Sequence, residues 1–316
     1  MKIPITQSKE WESFQHDLNQ KTFSETGNGY SFLAILKTTP VGNYLYLPYG
    51  PVADNATHFK SALSKLEKLA KENHAIFIRI EPQNPNFTKY LPKRTVKSKD
   101  LNPAHTLIID LNREEDEILK SVPRRTRGYF NTYSKKGLSV ETSQNPDDIK
   151  YLVELQKTLA KAKNINVFSE SYLKKQLSQP FSSLYLVKYT PTPNQEGYPK
   201  STTPVVIATV LVFDDADTRY YIQAAQDKNY TKLAAPSIVV CQMLLDARKK
   251  GLKYFDFWGI APEDAPKTHP WYGFTKFKKS FGGEEVCYAG TYDIVINPLK
   301  YKLYQSTRFL GRIFHH

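Results

Sequence analysis

The order of elements in the second half of the chain constrains its fold more than any other feature. Ser139–Thr142 reads as a strand. Two helices follow, Pro146–Asn164 behind a Pro-Asp-Asp start and Ser169–Gln179 behind a serine N-cap. Three strands come next, Ser182–Tyr189, Pro204–Phe213 and Arg219–Gln226, with a proline-rich loop at Thr190–Thr203. Leu233–Lys250 reads as a helix stopped by Gly251, Lys253–Gly259 as a strand, Trp271–Phe281 as a short helix and Glu285–Ile296 as a long strand. Pro298–Phe309 follows as a basic helix with proline at its first position.

Helix, helix, three strands, helix, strand, helix, strand is the element order of a GCN5-type N-acetyltransferase (GNAT) domain, an α/β (α+β) fold. The first half has related content. Ser31–Lys37 and Tyr44–Leu47 read as paired strands, and Thr57–His74 carries Phe59, Leu63, Leu66 and Leu69 at helical spacing. Ala75–Ile80 and Thr106–Leu111 are further strands. Glu114–Asp116 opens a helix at the end that favours negative charge, and the stretch runs through basic Arg124–Lys136 to Gly137. Element order alone, with no sequence-level repeat, allows this block to be read as a truncated copy of the same fold.

Composition narrows the chemistry. Apolar residues at 40% and charged residues at 24% allow a real core. The longest apolar stretch, Val205–Phe213, is far short of the ~20 residues of a spanning helix. No leader pattern follows Met1, and two cysteines, Cys241 and Cys287, exclude a disulfide scaffold and suit a reducing, cytoplasmic setting. Lys and Arg exceed Asp and Glu by 44 to 31, a net +13, which points to an anionic partner: nucleic acid, a phosphorylated substrate or a membrane face. A Walker loop, a strand-linked GxGxxG, an HExxH and metal-ligand histidine spacing are all missing, so no metal is expected. The turn Asp227–Lys232 has no glycine, which argues against the pyrophosphate of CoA.

Three segments can carry chemistry. Arg124, Arg125 and Arg127 offer bidentate donors to phosphate, or form a solvated run between two blocks. In Tyr254–Ile260, Asp256 is an acid on a buried strand ending in Trp258 and Gly259; it orients an incoming amine or is satisfied by backbone donors. In Trp271–Gly283, Phe274, Phe277 and Phe281 recur at helical spacing and should face the core. Lys278 at the edge of that face is a candidate oxyanion donor or a snorkelling surface lysine.

With these segments the sequence resembles the Fem family (FemA, FemB and FemX-like aminoacyltransferases of the peptidoglycan interpeptide bridge). Leu45–Pro51 is similar to the family's Tyr-x-Pro-x-Gly-Pro turn. His105–Leu111, Glu114–Leu119 and Arg124–Gly137 resemble its strand, acidic helix and Arg-rich helix. Tyr254–Ile260 resembles its Tyr-Asp-x-x-Gly-Ile strand, Phe274–Gly283 its Phe-Lys-x-x-Phe-Gly segment, and Asn297-Pro298-Leu299 the start of its last helix. The ordered set spans nearly the whole chain, without the long helical arm of some members.

The resemblance implies two GNAT-like domains around a cleft, drawn as residues 1–137 plus 298–316 and residues 138–297. It implies no cofactor, with aminoacyl-tRNA as co-substrate and the stem peptide of a wall precursor as acceptor. Phe277 and Lys278 match the family's catalytic Phe-Lys pair, and Tyr172 matches a precursor-site tyrosine. Three family positions differ: Gln15 and Phe168 stand where the short form has cations, and Gln223, two residues past Tyr221, stands where it has a tyrosine. Two lost cations point from UDP-MurNAc-peptide toward lipid II, with Lys161 or Lys163 as holders of the precursor. Lys276 and Lys279 join the arginines as candidate tRNA contacts, and the basic last helix makes a peripheral membrane contact conceivable. An acyl-CoA-dependent GNAT enzyme and a non-enzymatic RNA-binding protein are the alternatives.

Overall fold

The computed structural model describes residues 2–163, 167–191 and 203–313, and their side chains apart from 158–163 and 308–313. From the N-terminus run α1 (Lys9–Asp17), β1 (Thr22–Gly27), β2 (Tyr30–Thr39), β3 (Gly42–Leu47), β4 (Val52–Ala53), α2 (Ala56–Glu72), β5 (Ala75–Ile80) and β6 (Thr95–Lys97). Next come β7 (His105–Asp110), α3 (Glu115–Ser121), α4 (Arg124–Thr132), β8 (Leu138–Ser143), α5 (Ile149–Lys163), α6 (Glu170–Leu177), β9 (Ser182–Tyr189), β10 (Val205–Asp214) and β11 (Thr218–Gln226). The remainder is α7 (Ala235–Lys249), β12 (Tyr254–Gly259), α8 (Tyr272–Lys279), β13 (Glu284–Cys287), β14 (Tyr292–Val295) and α9 (Pro298–Ile313). None of the described helices is long and apolar enough to cross a membrane.

The chain divides into two units, residues 1–105 with 287–316, and residues 106–286. This corrects the boundaries drawn at 137 and 297. The cause is an exchange of strands late in each unit. β7 follows the first unit's strands in sequence, yet it pairs antiparallel with β12 in the second unit's sheet, order β13-β7-β12-β11-β10-β9-β8. β14 follows the second unit's strands, yet it pairs with β5 and β6 in the first unit's sheet, order β1-β2-β3-β5-β14-β6. The long strand expected at Glu285–Ile296 is therefore two strands in two sheets, parted by a turn in which Gly290 takes φ +80. The arginine-rich α4 consequently belongs to the second unit.

Each unit is built around one parallel crossover: β3-α2-β5 in the first and β11-α7-β12 in the second. In the first unit, Phe59, Leu63 and Leu66 of α2 bury against Leu45, Leu47, Ile78 and Ile80. The opposite face of β5 carries Phe77 and Arg79, covered by Tyr301 and Tyr304 of α9. Arg79 is 1% exposed and holds Asp293 with two parallel bonds of 2.7 Å each. In the second unit, Ile238, Val239, Cys241 and Leu244 of α7 bury against the sheet, and α5 packs on β10 and β11.

Candidate active site

The crossover of the second unit opens where its strands part. β11 and β12 pair in parallel for three residues, Thr218 with Tyr254, Arg219 with Phe255 and Tyr220 with Asp256, and no further. A bulge sits on each strand at that point. On β11, Val212 faces Tyr221 while Leu211 faces Gln223, so Ile222 is the extra residue. On β12, Asp256 faces Ile108 while Gly259 faces Thr106, so two residues oppose one. Bulges bend the strand that carries them, so two of them splay a pair of neighbours apart.

The β12 bulge is held from within. Trp258 adopts a left-handed conformation, φ +60, which a tryptophan takes only at a cost. Its amide donates to Asp256 Oδ1 at 2.7 Å. The hydroxyl of buried Thr106 lies against the same carboxylate oxygen and, at 2.5 Å, the Trp258 carbonyl. Asp256 is 4% exposed, and its Oδ1 is engaged within this turn. The Trp258 amide is the backbone donor that the second of its two sequence readings calls for.

The twisted backbone turns the carbonyls of Phe257 and Gly259 toward α8. Lys278 Nζ donates to both, at 2.8 and 2.6 Å, and sits 5.5 Å from the centre of the Tyr221 ring. The ammonium therefore lies between the two strands just past their last pair. Burial pulls its pKa from the ordinary 10.5 to about 8, with the Asp256 charge acting weakly in the other direction. Tyr221 is buried, and its phenol is pushed up for the same reason. Phe277 turns inward onto Phe281, ring centres 5.2 Å apart, and Phe281 lies 5.6 Å from Phe257, so Lys278 stands on an aromatic floor. Buried Thr275 accepts the Ala261 amide at 2.8 Å and ties α8 to the strand exit.

The FemAB family model matches residues 192–308, a span that contains this strand and helix. Two lipid II:glycine glycyltransferases, from Staphylococcus epidermidis and Staphylococcus haemolyticus, are each 23% identical over 83% of this chain and 79% of theirs. The crystal structure of FemX superposes with a TM-score of 0.79 at 19% identity, covering 95% of this chain and 94% of that one. The chain is therefore similar to Fem-family proteins, with the family model matching over residues 192–308. Its double GNAT architecture also resembles a tandem GNAT protein from the clavulanic acid biosynthesis pathway, with a TM-score of 0.52 at 11% identity over 87% of this chain and 82% of that one.

The other sequence-chosen residues fall in several places. Gln223, on the part of β11 past its last pair with β12, accepts from Gln156 Nε2 of α5 at 2.7 Å. Tyr172 on α6 stacks on exposed Phe168 at 5.0 Å, and burial raises its phenol. Lys161 and Lys163 lie on α5 outside the described side chains. Arg127 does not project to a ligand: its Nη1 donates to the carbonyls of Leu119, Lys120 and Val122 and so caps α3. Arg125 donates to the Tyr129 hydroxyl at 2.7 Å, and Arg124 is exposed. Lys276 is exposed, whereas Lys279 pairs with Glu285 at 2.5 Å.

One expectation about α8 fails in an informative way. Phe274 is 45% exposed and does not join Phe277 and Phe281 in the core. The helix is short, and Phe274 shares the face of Lys278 one turn earlier. Trp271 and Tyr272 are exposed as well, so the start of α8 presents three aromatic side chains to solvent. Sequence reasoning also passed over Thr106 and Thr275, which hold the bulge and the helix; no local signal marks either one.

Proposed function

We propose that this chain moves an amino acid from aminoacyl-tRNA to an amine on the stem peptide of lipid II, building the interpeptide bridge on the cytoplasmic face of the membrane. The observation that carries the reading is Lys278, a half-buried lysine whose ammonium is held by two main-chain carbonyls in the splay between β11 and β12. The staphylococcal relatives are named for glycyl transfer to lipid II.

The chemistry follows from the substrate. An aminoacyl ester is already activated, so transfer needs neither a cofactor nor a covalent enzyme intermediate. The acceptor amine attacks the ester carbonyl, and a C–N bond forms as the carbonyl oxygen takes up charge. The C–O bond to the ribose then breaks, and the ribose oxygen leaves with the proton lost by the amine. Lys278 supplies the positive charge for the oxyanion. With a pKa of about 8 it is protonated by roughly ten to one at pH 7. It is therefore a donor at neutral pH rather than the base. Two of its three N–H groups are spent on carbonyls, which fixes the ammonium and leaves one for the reacting oxygen.

The exposed rings of Trp271, Tyr272 and Phe274 offer stacking surfaces for the unpaired 3′ bases of the tRNA, with Lys276 and Arg124 as phosphate contacts. Gln223 and Tyr172 line the acceptor's approach in this reading. The acyl-CoA alternative fits less well. Asp227 places its own carboxylate on the Asn229 amide at 2.9 Å, in the turn where a pyrophosphate would need free amides.

Purified protein, a mixture of charged tRNAs and lipid II test the reading by mass spectrometry of the acceptor. The expected result is a mass gain of one or more amino-acid residues that depends on charged tRNA. No gain, or a gain driven by acyl-CoA, overturns it.

A further inference from the structure

The last helix has two apolar faces, and the fold uses one. Tyr301 and Tyr304 of α9 point inward, 5% and 6% exposed, against Phe77. Tyr301 also donates to Asp293 Oδ2 at 2.9 Å, which fixes the rotation of the helix on its sheet. With that rotation set, Leu299 and Leu303 face away from the protein, 81% and 56% exposed. They are one turn apart, and exposed Lys300 and Lys302 flank them. The sequence continues the aliphatic spacing at Leu310 and Ile313 and adds Arg308 and Arg312. No Asp or Glu occurs anywhere in Pro298–Ile313.

Single exposed leucines are ordinary on protein surfaces. Here the two share one stripe of a helix whose opposite face is already committed, in a segment carrying positive charge alone. Aliphatic side chains bordered by lysines form the pattern of a helix that lies in the plane of a bilayer, with its apolar stripe among the acyl chains and its ammonium groups at anionic headgroups.

We propose that the outward face of α9, centred on Leu299 and Leu303 with Lys300 and Lys302, is a docking surface for an anionic lipid bilayer. The inference rests on the reading that the acceptor is lipid-linked, since it gives the enzyme a reason to be held at the membrane. The helix adds no chemistry. It confines the protein to the surface in which the acceptor diffuses, and so raises the effective concentration of one for the other.

Vesicle co-sedimentation tests this with phosphatidylglycerol–phosphatidylcholine vesicles and with phosphatidylcholine vesicles alone. The wild-type chain is expected to sediment with the anionic vesicles at low salt and to be released by high salt. Lys300→Gln with Lys302→Gln should weaken binding about thirty-fold. Leu299→Glu with Leu303→Glu should weaken it by at least about ten-fold. The exposed leucine pair can be replaced without disturbing the core, which circular dichroism and an unchanged Tm will confirm. Transfer to a soluble stem pentapeptide should stay within about two-fold of wild type in every variant. Wild-type protein that ignores anionic vesicles, or a leucine variant that binds as tightly, overturns the proposal. So does a wild-type dimer that Leu299→Glu with Leu303→Glu dissolves, since the face would then be covered by a second copy. Vesicle binding without any transfer leaves the docking surface standing and removes the assigned reaction instead.

Discussion

The two parallel crossovers of this chain start from the same plan and end differently. In the first unit β3 and β5 stay paired through Leu47 and Ile80, the last residues of both strands. In the second unit β11 and β12 stop at Tyr220 and Asp256, and β11 runs on for six residues to Gln226. A cation sits at each crossover, fully buried Arg79 at the first and half-buried Lys278 at the second. Arg79 on β5 meets a carboxylate in fork geometry, and the Asp293 bonds raise its pKa despite burial. Lys278 meets two neutral carbonyls, and burial lowers its pKa to about 8. A charge cancelled inside the fold contributes to holding a sheet together. A charge held by dipoles alone keeps most of its attraction for an incoming anion, and that is the arrangement an oxyanion requires.

Exchanging each cation for an apolar side chain of similar length should break the comparison most sharply. Lys278→Met is expected to lower the transfer rate by about 10²–10³ with a near-native Tm, because it removes one transition-state donor. Arg79→Met should instead strand the buried Asp293 and cost about 3–5 kcal/mol of stability. Its remaining folded fraction should still turn over normally. Urea titration and single-turnover transfer on both proteins separate the outcomes. A Lys278→Met protein that transfers at the wild-type rate would remove the lysine from the mechanism.

Much of this contrast was readable in the sequence, and the unreadable part has a physical pattern. Periodicity and capping residues are local, so the second unit's helices and strands stand close to their expected limits. Strand partners are not local, so the sequence alone places β7 and β14 each in the wrong half and shows no break between strands at Gly290. At the site, the Phe-Lys pattern picked out Lys278 because helical spacing puts Phe277 inside and its neighbour at the rim. The same spacing failed for Phe274, since the first turn of so short a helix has no core beneath it. Asp256 was visible as a buried acid, but its partner is the amide of Trp258 in a left-handed conformation that no pattern of residue types announces. Arg127 looked like a phosphate ligand and proved to be a helix cap, because guanidinium satisfies carbonyls as readily as anions.

The lowered pKa of Lys278 sharpens the comparison through pH. Transfer should hold up to about pH 8 and then fall roughly ten-fold per unit as the ammonium is lost. Asp256 favours the charged form of Lys278, so Asp256→Asn should move this limb to lower pH while keeping an acceptor for the Trp258 amide. Stability runs the other way. The unfolded lysine titrates near 10.5 and the folded one near 8, so between those values the unfolded chain binds the extra proton. This group's cost to folding is therefore complete below pH 8 and relieved as pH rises toward 10.5. Lys278→Met should lose both the kinetic limb and this stability increment. An alkaline limb that stays in place in Asp256→Asn would mean that the carboxylate acts on the backbone alone.

The smallest expected effect concerns how firmly the splay is held. Thr275 accepts the Ala261 amide, two residues past the Gly259 carbonyl that binds Lys278. Thr275→Val keeps the shape and leaves that buried amide without its acceptor, which costs about 1–3 kcal/mol. The loss falls on the link between α8 and the end of β12, so the ammonium should keep its charge but lose some of its fixed position. A few-fold drop in kcat with little change in KM is expected, because a looser donor stabilises the transition state less without altering ground-state binding. Thr275→Ser restores the hydroxyl and should recover both Tm and rate. The first unit's cation is held differently, by a carboxylate on the neighbouring strand rather than by the exit of its own crossover. A Thr275→Val enzyme with a lowered Tm and an unchanged kcat would show that the two carbonyls alone fix Lys278.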